Sequence, residues 1–432
     1  MDSSLSPLRL PWDTLRLAAR FFLPLAFFHT LGLLAHDGSI FLAVWVAEPT
    51  GWRAYAGFGI LSFALLATLM AYIAMLNTLG RQLSRVDAAV LTLDERERRL
   101  VDALAHTLLP FLIFYSAWEL FLDDLKSFQR LSNELHPIWQ TDFLAEADLV
   151  SNLFDINVLI VVVTLAVFLV KVVVERLYES RQIKVLGLAT SGLECLWMFF
   201  GIISIGNWIG VAKDWLTTRV VWKGATGLFD VAGIVPQPLK DAWGVLSPYV
   251  PDLKDGLVAP LLWLAITAVV YSSDMTRDVK VIEGTRVEKR VSGLWKMLPA
   301  QVQNTVEFLS RGLRDKYTPI INGLRFVLRA GPLFYLSFSL IYVTLEALSK
   351  VAFIGVTHLV GPHEIIWWQM WESAAHLPID VVHEVLRVCL LAAGFDLALR
   401  RVAARMTAEA AGVNEAAGAS GPSAPPRDAV AS

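Results

Sequence analysis

Residues 158–170 read VLIVVVTLAVFLV, an unbroken apolar run relieved only by Thr164. Taken with its flanks it covers about 156–174, roughly 28 Å of helix at 1.5 Å per residue. That nearly matches the roughly 30 Å of hydrocarbon in a bilayer, so the stretch reads as a membrane-crossing helix. Similar stretches lie on both sides. The full set of expected spans is about 15–35, 54–76, 104–122, 156–174, 188–211, 257–271, 330–348 and 378–399. The sixth is short, and the eighth is unusually polar.

The composition agrees. Of 432 residues, 55% are hydrophobic and 18% charged, whereas a soluble domain carries about 25% charged residues. Mean hydropathy is +0.54. A net charge of −3 provides no basic field for nucleic acid. Cys195 and Cys389 both sit in apolar runs, so neither a disulfide framework nor a zinc-type spacing is present. The first apolar stretch has a basic flank but no small-residue cleavage site before His36-Asp37-Gly38, and it reads as a retained span.

Lysine and arginine set the orientation. With the N-terminus inside, the inner segments hold 27 of these residues and the outer segments nine, with Arg387 left within the eighth span. Both termini are therefore expected on the cytoplasmic side of an inner, multi-pass membrane. Trp45, Trp52, Trp139, Trp208, Trp215, Trp222, Trp243, Trp367, Trp368 and Trp371 collect on the expected outer face, where indoles favour the headgroup level.

The expected fold is thus an all-α integral membrane protein with an eight-helix bundle. Loose likeness between Arg20-Phe-Phe-Leu-Pro24, His106-Thr-Leu-Leu-Pro110 and Arg329-Ala-Gly-Pro332 allows four tandem helical hairpins, although apolar helices resemble one another in any case. One polytopic domain covers 1–408. Its cytoplasmic segment 274–329 contains Trp295, Leu298, Val302, Val306, Leu309 and Leu313 at helical spacing, which predicts an amphipathic helix. Segment 77–103 predicts a solvated inner helix. The proline-rich outer segment 212–256 predicts short interfacial helices. The Ala-, Gly-, Ser- and Pro-rich tail 409–432 reads as disordered.

Intramembrane charge is expensive, about 2.5–3.5 kcal/mol per residue on insertion scales. The eighth span concentrates it. Asp380, His383, Glu384 and Arg387 stand at i, i+3, i+4 and i+7, one face of a helix. Such a face either lines a proton or ion path or forms an internal ion-pair network. In both cases Arg387 requires an acidic partner, and Glu119, Glu346 and Glu384 are the candidates. His29, Glu194 and Asn207 are isolated polar residues in other spans, and a lone histidine there more often packs than ligates. His363, His376 and His383 lie near acids toward the outer face and are the candidates for a bound metal. No HExxH, GxxxxGK[ST], GxSxG or TVGYG sequence is present, so neither a zincin, a P-loop ATPase, a nucleophile elbow nor a potassium filter is indicated. No catalytic residue or cofactor is assigned.

Three functions fit. The first is movement of an ion, proton or small solute along the eighth span's polar face. The second is a membrane subunit that recruits a partner, as a homo-oligomer or beside another membrane protein. The third is a membrane enzyme with an outer His/acid site. The lipid bilayer is the one partner common to all three.

Overall fold

A computed structural model describes residues 6–47, 52–80, 107–108, 111–112, 115, 120–135, 158–181, 184–219, 241, 244–245, 247–272, 327 and 329–419. Among these residues every regular element is helical, and no strand occurs. The expected inner helices in 77–103 and 274–329 lie almost wholly outside the described residues.

Helix α1 covers Leu10–Val46, behind a single turn at Pro7–Arg9. It is far longer than the apolar run 15–35 that marked it. Gly38 costs a helix only about 1 kcal/mol relative to alanine, and His36 and Asp37 pair with each other at 3.0 Å, so neither ends the helix. Pro24 lies inside it, where it removes one backbone hydrogen bond. Helix α2 covers Trp52–Gly80, α3 Leu120–Leu135, α4 Val158–Arg181 and α5 Lys184–Thr218. A continuous helical run then begins at Ser247. It includes a π turn at Lys254–Val258 and closes as α6, Ala259–Ser272. Helix α7 covers Pro332–Val360 and α8 covers Ile365–Ala419.

Helix α7 extends beyond the 330–348 read from its apolar run, because its true stops are backbone stops. Gly331 precedes it with φ 106° and Gly361 follows it with φ 86°, conformations that residues with a Cβ rarely adopt. Pro332 occupies the first turn, where its missing N–H costs nothing. Helix α8 passes through Glu409 to Ala419. The first part of the tail read as disordered is therefore helical, since its alanines favour helix and no proline intervenes before 422.

Four described segments are long and apolar enough to cross a membrane: Pro7–Val46, Tyr55–Gly80, Ser247–Tyr271 and Pro332–Val360. The stretches expected as the fourth, fifth and eighth spans are also helical, as α4, α5 and α8. Of the third, only a few residues are described. Leu108, Phe111, Leu112 and Tyr115 among them are helical and buried.

Helix α1 packs most extensively on α2, α4 on α5, and α8 on both α1 and α7. The fourth expected span therefore pairs with the fifth, and α6 packs on α2, α7 and α8. The third expected span lies largely outside the described residues, and with it the pairing that four tandem hairpins would require of spans three and four. Small residues permit the closest approaches. A Cβ on Gly32 would collide with Ala71, and one on Gly57 would lie 2.6 Å from the Ala47 Cβ. Tyr271 Oη donates to Leu76 O at 2.8 Å, and Cys195 Sγ to Ser62 O at 3.3 Å. These bonds tie α6 and α5 to α2 and satisfy polar groups that lipid would not.

The centre of the bundle is α8. Residues 388–398 are all buried, on every face of the helix. A helix apolar all round belongs in the interior. By contrast, α1 and α7 expose large apolar side chains such as Leu23 (79%) and Leu340 (69%). Water would penalise that surface, whereas lipid solvates it.

Candidate functional site

The charged face of α8 meets the bundle just N-terminal to its buried apolar segment. Arg387 is the hub. Its Nη2 lies 2.6 Å from Glu384 Oε2, one helical turn back, and its Nη1 lies 3.9 Å from Glu346 Oε1 on α7. The guanidinium stands over the Trp263 ring of α6, 5.0 Å from its centroid, and 5.8 Å from that of Tyr72 on α2. Those two rings stack on each other at 4.6 Å. An arginine gains from both contacts, because its planar cation fits a carboxylate and an aromatic face at once. Four helices thereby converge on one side chain.

Glu346 also faces His383, with Nε2 3.3 Å from Oε1. The pair lacks hydrogen-bond alignment, and both atoms are buried without a hydrogen-bond partner among the described residues. Tyr342, one turn from Glu346 on α7, is buried beside it and within electrostatic reach of Arg387 and Glu384. From α1, His29 reaches the same place. It interacts electrostatically with Asp380, His383, Glu384 and Arg387. His29 Nε2, Tyr72 Oη and Arg387 Nε are buried without a hydrogen-bond partner among the described residues. A buried polar group left unsatisfied costs about 1–3 kcal/mol, and more than one lies around this point.

The location matters as much as the composition. Glu346 lies midway along α7 and His29 midway along α1. Reading α7 as ending at 348 puts Glu346 near an end. The full helix moves it to the middle of α7. Beyond Arg387 the side chains of α8 are apolar through Phe395, and the next ion pair joins Asp396 to Arg400 at 2.5 Å.

Of the residues singled out from sequence, Asp380, His383, Glu384, Arg387 and Glu346 come together. Glu119 lies outside the described residues. The candidate metal residues do not converge. His363 stacks on Trp367 at 4.1 Å in the turn before α8, and His376 meets the edge of Phe353 at 4.8 Å. His363 and His383 are twenty positions apart, about 30 Å along a helix. Among the described residues no three histidine, cysteine or acidic side chains could hold a metal ion.

A second polar network joins α1 to α3. Asp124 is buried and accepts a hydrogen bond from Tyr115 Oη at 2.5 Å, while its other oxygen stands 3.1 Å from His36 Nε2. His36 Nδ1 in turn meets Asp37 at 3.0 Å. Sequence reading placed Asp124 in an outer loop and missed it. Its signal lies in the period. Asp124, Leu125, Phe128 and Ser132 share one buried helical face, whereas Asp123 is exposed and pairs with Lys126 at 2.8 Å. His29, Tyr72 and Trp263 were also missed as site residues, because none stands near another charge in the sequence.

No family model, curated protein or solved structure matches the chain.

Proposed function

We propose that this chain is a polytopic inner-membrane protein of eight spans with both termini cytoplasmic, and that it moves an ion or small solute along the polar face of α8. Four apolar helices point to a membrane protein. One observation carries the rest: acids, histidines and an arginine from α1, α7 and α8, together with Tyr72 of α2, gather in one cluster around Arg387. Intramembrane ionisable clusters of this kind are costly and mark ion or substrate paths.

The test is reconstitution into liposomes. With a potassium diffusion potential set by valinomycin, a voltage-sensitive dye reports any compensating ion flux, and efflux of a preloaded solute panel reports the rest. Glu384→Gln and Glu346→Gln are expected to cut that flux sharply in protein that remains monodisperse. Wild-type vesicles indistinguishable from empty ones in both assays would sink the reading. A second reading rests on how completely Arg387 is engaged, by two carboxylates and two ring faces. There the cluster is a packing network in a non-transporting subunit. It predicts silent wild-type vesicles, with both variants failing to fold.

A further inference from the structure

Resting on that transport reading, we infer that the moving ion is the proton, and that Arg387 is the fixed charge that bars metal cations from the cluster. Arg387 is a permanent cation, since guanidinium does not deprotonate in proteins. Its contacts on α2, α6, α7 and α8 hold it in place rather than leave it free to swing aside. A sodium or potassium ion leaving water needs a shell of oxygen ligands to replace its hydration. Two of the three acids that could supply such a shell are engaged: Glu384 and Glu346 both lie against Arg387, and Glu346 also faces His383, which leaves Asp380 alone as too small a ligand set. A fixed positive charge at a constriction repels what approaches without that compensation.

A proton needs only one lone pair, and the cluster offers several. Glu346 and Glu384 lie against the one guanidinium, and Asp380 lies beyond it, within electrostatic reach of His29, His383 and Glu384. With neutral histidines the three carboxylates and the one guanidinium leave two uncompensated negative charges in the cluster, and two bound protons remove them. The groups that face one another come from every element packed there. His29 of α1 faces Asp380, His383, Glu384 and Arg387 of α8. Asp380 faces His29, His376, His383 and Glu384. Tyr72 of α2 and Tyr342 and Glu346 of α7 face Arg387. Trp263 of α6 adds a ring face with no titrating group.

Within this set His383 Nε2 stands 3.3 Å from Glu346 Oε1, so a small side-chain rotation would bring the pair into hydrogen-bond alignment for transfer. The Nε2–H bond of a His383 imidazolium breaks and an Oε1–H bond on Glu346 forms. A cation and an anion become a neutral imidazole and a neutral carboxylic acid. One proton moves, no electrons are exchanged between molecules, and no further reactant is required. Positioned side chains of this kind speed proton transfer by factors of roughly 10²–10⁴.

The experiment uses the full chain in liposomes carrying a trapped pH dye, with the potential set by valinomycin and external sodium, potassium and pH varied separately. Wild type is expected to acidify or alkalinise the lumen with the imposed potential and to pass no sodium. Glu346→Gln and His383→Gln are expected to slow the pH change roughly 10²-fold. Arg387→Gln is expected to admit sodium, measured as isotope uptake, while Arg387→Lys, which keeps the charge, excludes it. Wild-type vesicles that take up sodium with no pH change overturn this inference and leave the transport reading standing. Vesicles that pass nothing remove both. If Arg387→Gln fails to fold, the wild-type selectivity and the two α7/α8 variants decide the matter alone.

Discussion

Arg387 shows what a single residue must satisfy to remain charged inside a bundle. It is joined to Glu384 at 2.6 Å and lies against two aromatic rings, and its side chain is 21% exposed. Removing one member of such a pair leaves the other as a buried, uncompensated charge, at a cost of about 3–5 kcal/mol. Arg387→Met is therefore expected to lower the thermal midpoint of the detergent-solubilised protein sharply. Adding Glu384→Gln is expected to restore part of the loss, giving a coupling of about 0.5–3 kcal/mol in the double-mutant cycle. Strict additivity would show that the two side chains do not depend on each other. Asp124 raises the same issue on a smaller scale. Replacing it with alanine strands the Tyr115 hydroxyl and the His36 Nε2 at about 1–3 kcal/mol, whereas Asp123→Ala, at an exposed pair, is expected to change the midpoint little. Equal effects from the two would contradict the buried network.

The helices are longer than their apolar runs, and their ends are decided by backbone chemistry. Helix α7 continues through Lys350 to the Gly361-Pro362 stop, because a lysine stem follows apolar surface while its ammonium seeks the headgroups. Helix α1 continues through His36-Asp37-Gly38 for the reasons already given. The crossings depend on residues too small to register in a hydropathy reading. At Gly394 of α8 an added Cβ would lie 2.7 Å from the Phe338 ring of α7. Gly394→Val is expected to destabilise by about 1–3 kcal/mol through overpacking, read as a lower thermal midpoint. Phe338→Ala in the same chain is expected to relieve part of that strain. Failure of the second change to help would place the strain elsewhere.

At the scale of the whole molecule, the apolar exterior of α1 and α7 and the all-round burial of α8 at 388–398 define an inside and an outside. Helix α8, at 55 residues, is about 80 Å long, more than twice the hydrocarbon thickness. It must therefore project beyond the membrane. The Trp367, Trp368 and Trp371 cluster with His363 sits at its N-terminal end, where indoles suit the headgroup layer. Cys195 and Cys389 are buried and free, so an introduced cysteine is expected to report without background. A Pro362→Cys variant is expected to react with an impermeant maleimide in intact cells, and Ala419→Cys only after lysis. The reverse pattern would invert the orientation drawn from the basic residues.

Composition and local spacing were sufficient for the membrane class, for helices at the expected spans that are described, and for the one helix face that carries Asp380, His383, Glu384 and Arg387. These are properties of a few consecutive turns, and a sequence displays them directly. Which partners that face meets is a different kind of fact. His29, Tyr72, Trp263 and Glu346 reach Arg387 and its neighbours only because α1, α2, α6 and α7 cross α8 at particular heights. Those heights depend on Gly-to-Ala contacts between α1 and α2 and a Gly-to-Phe contact between α8 and α7. Helical periodicity says which side chains share a face. Only the packing of distant helices decides what that face encloses.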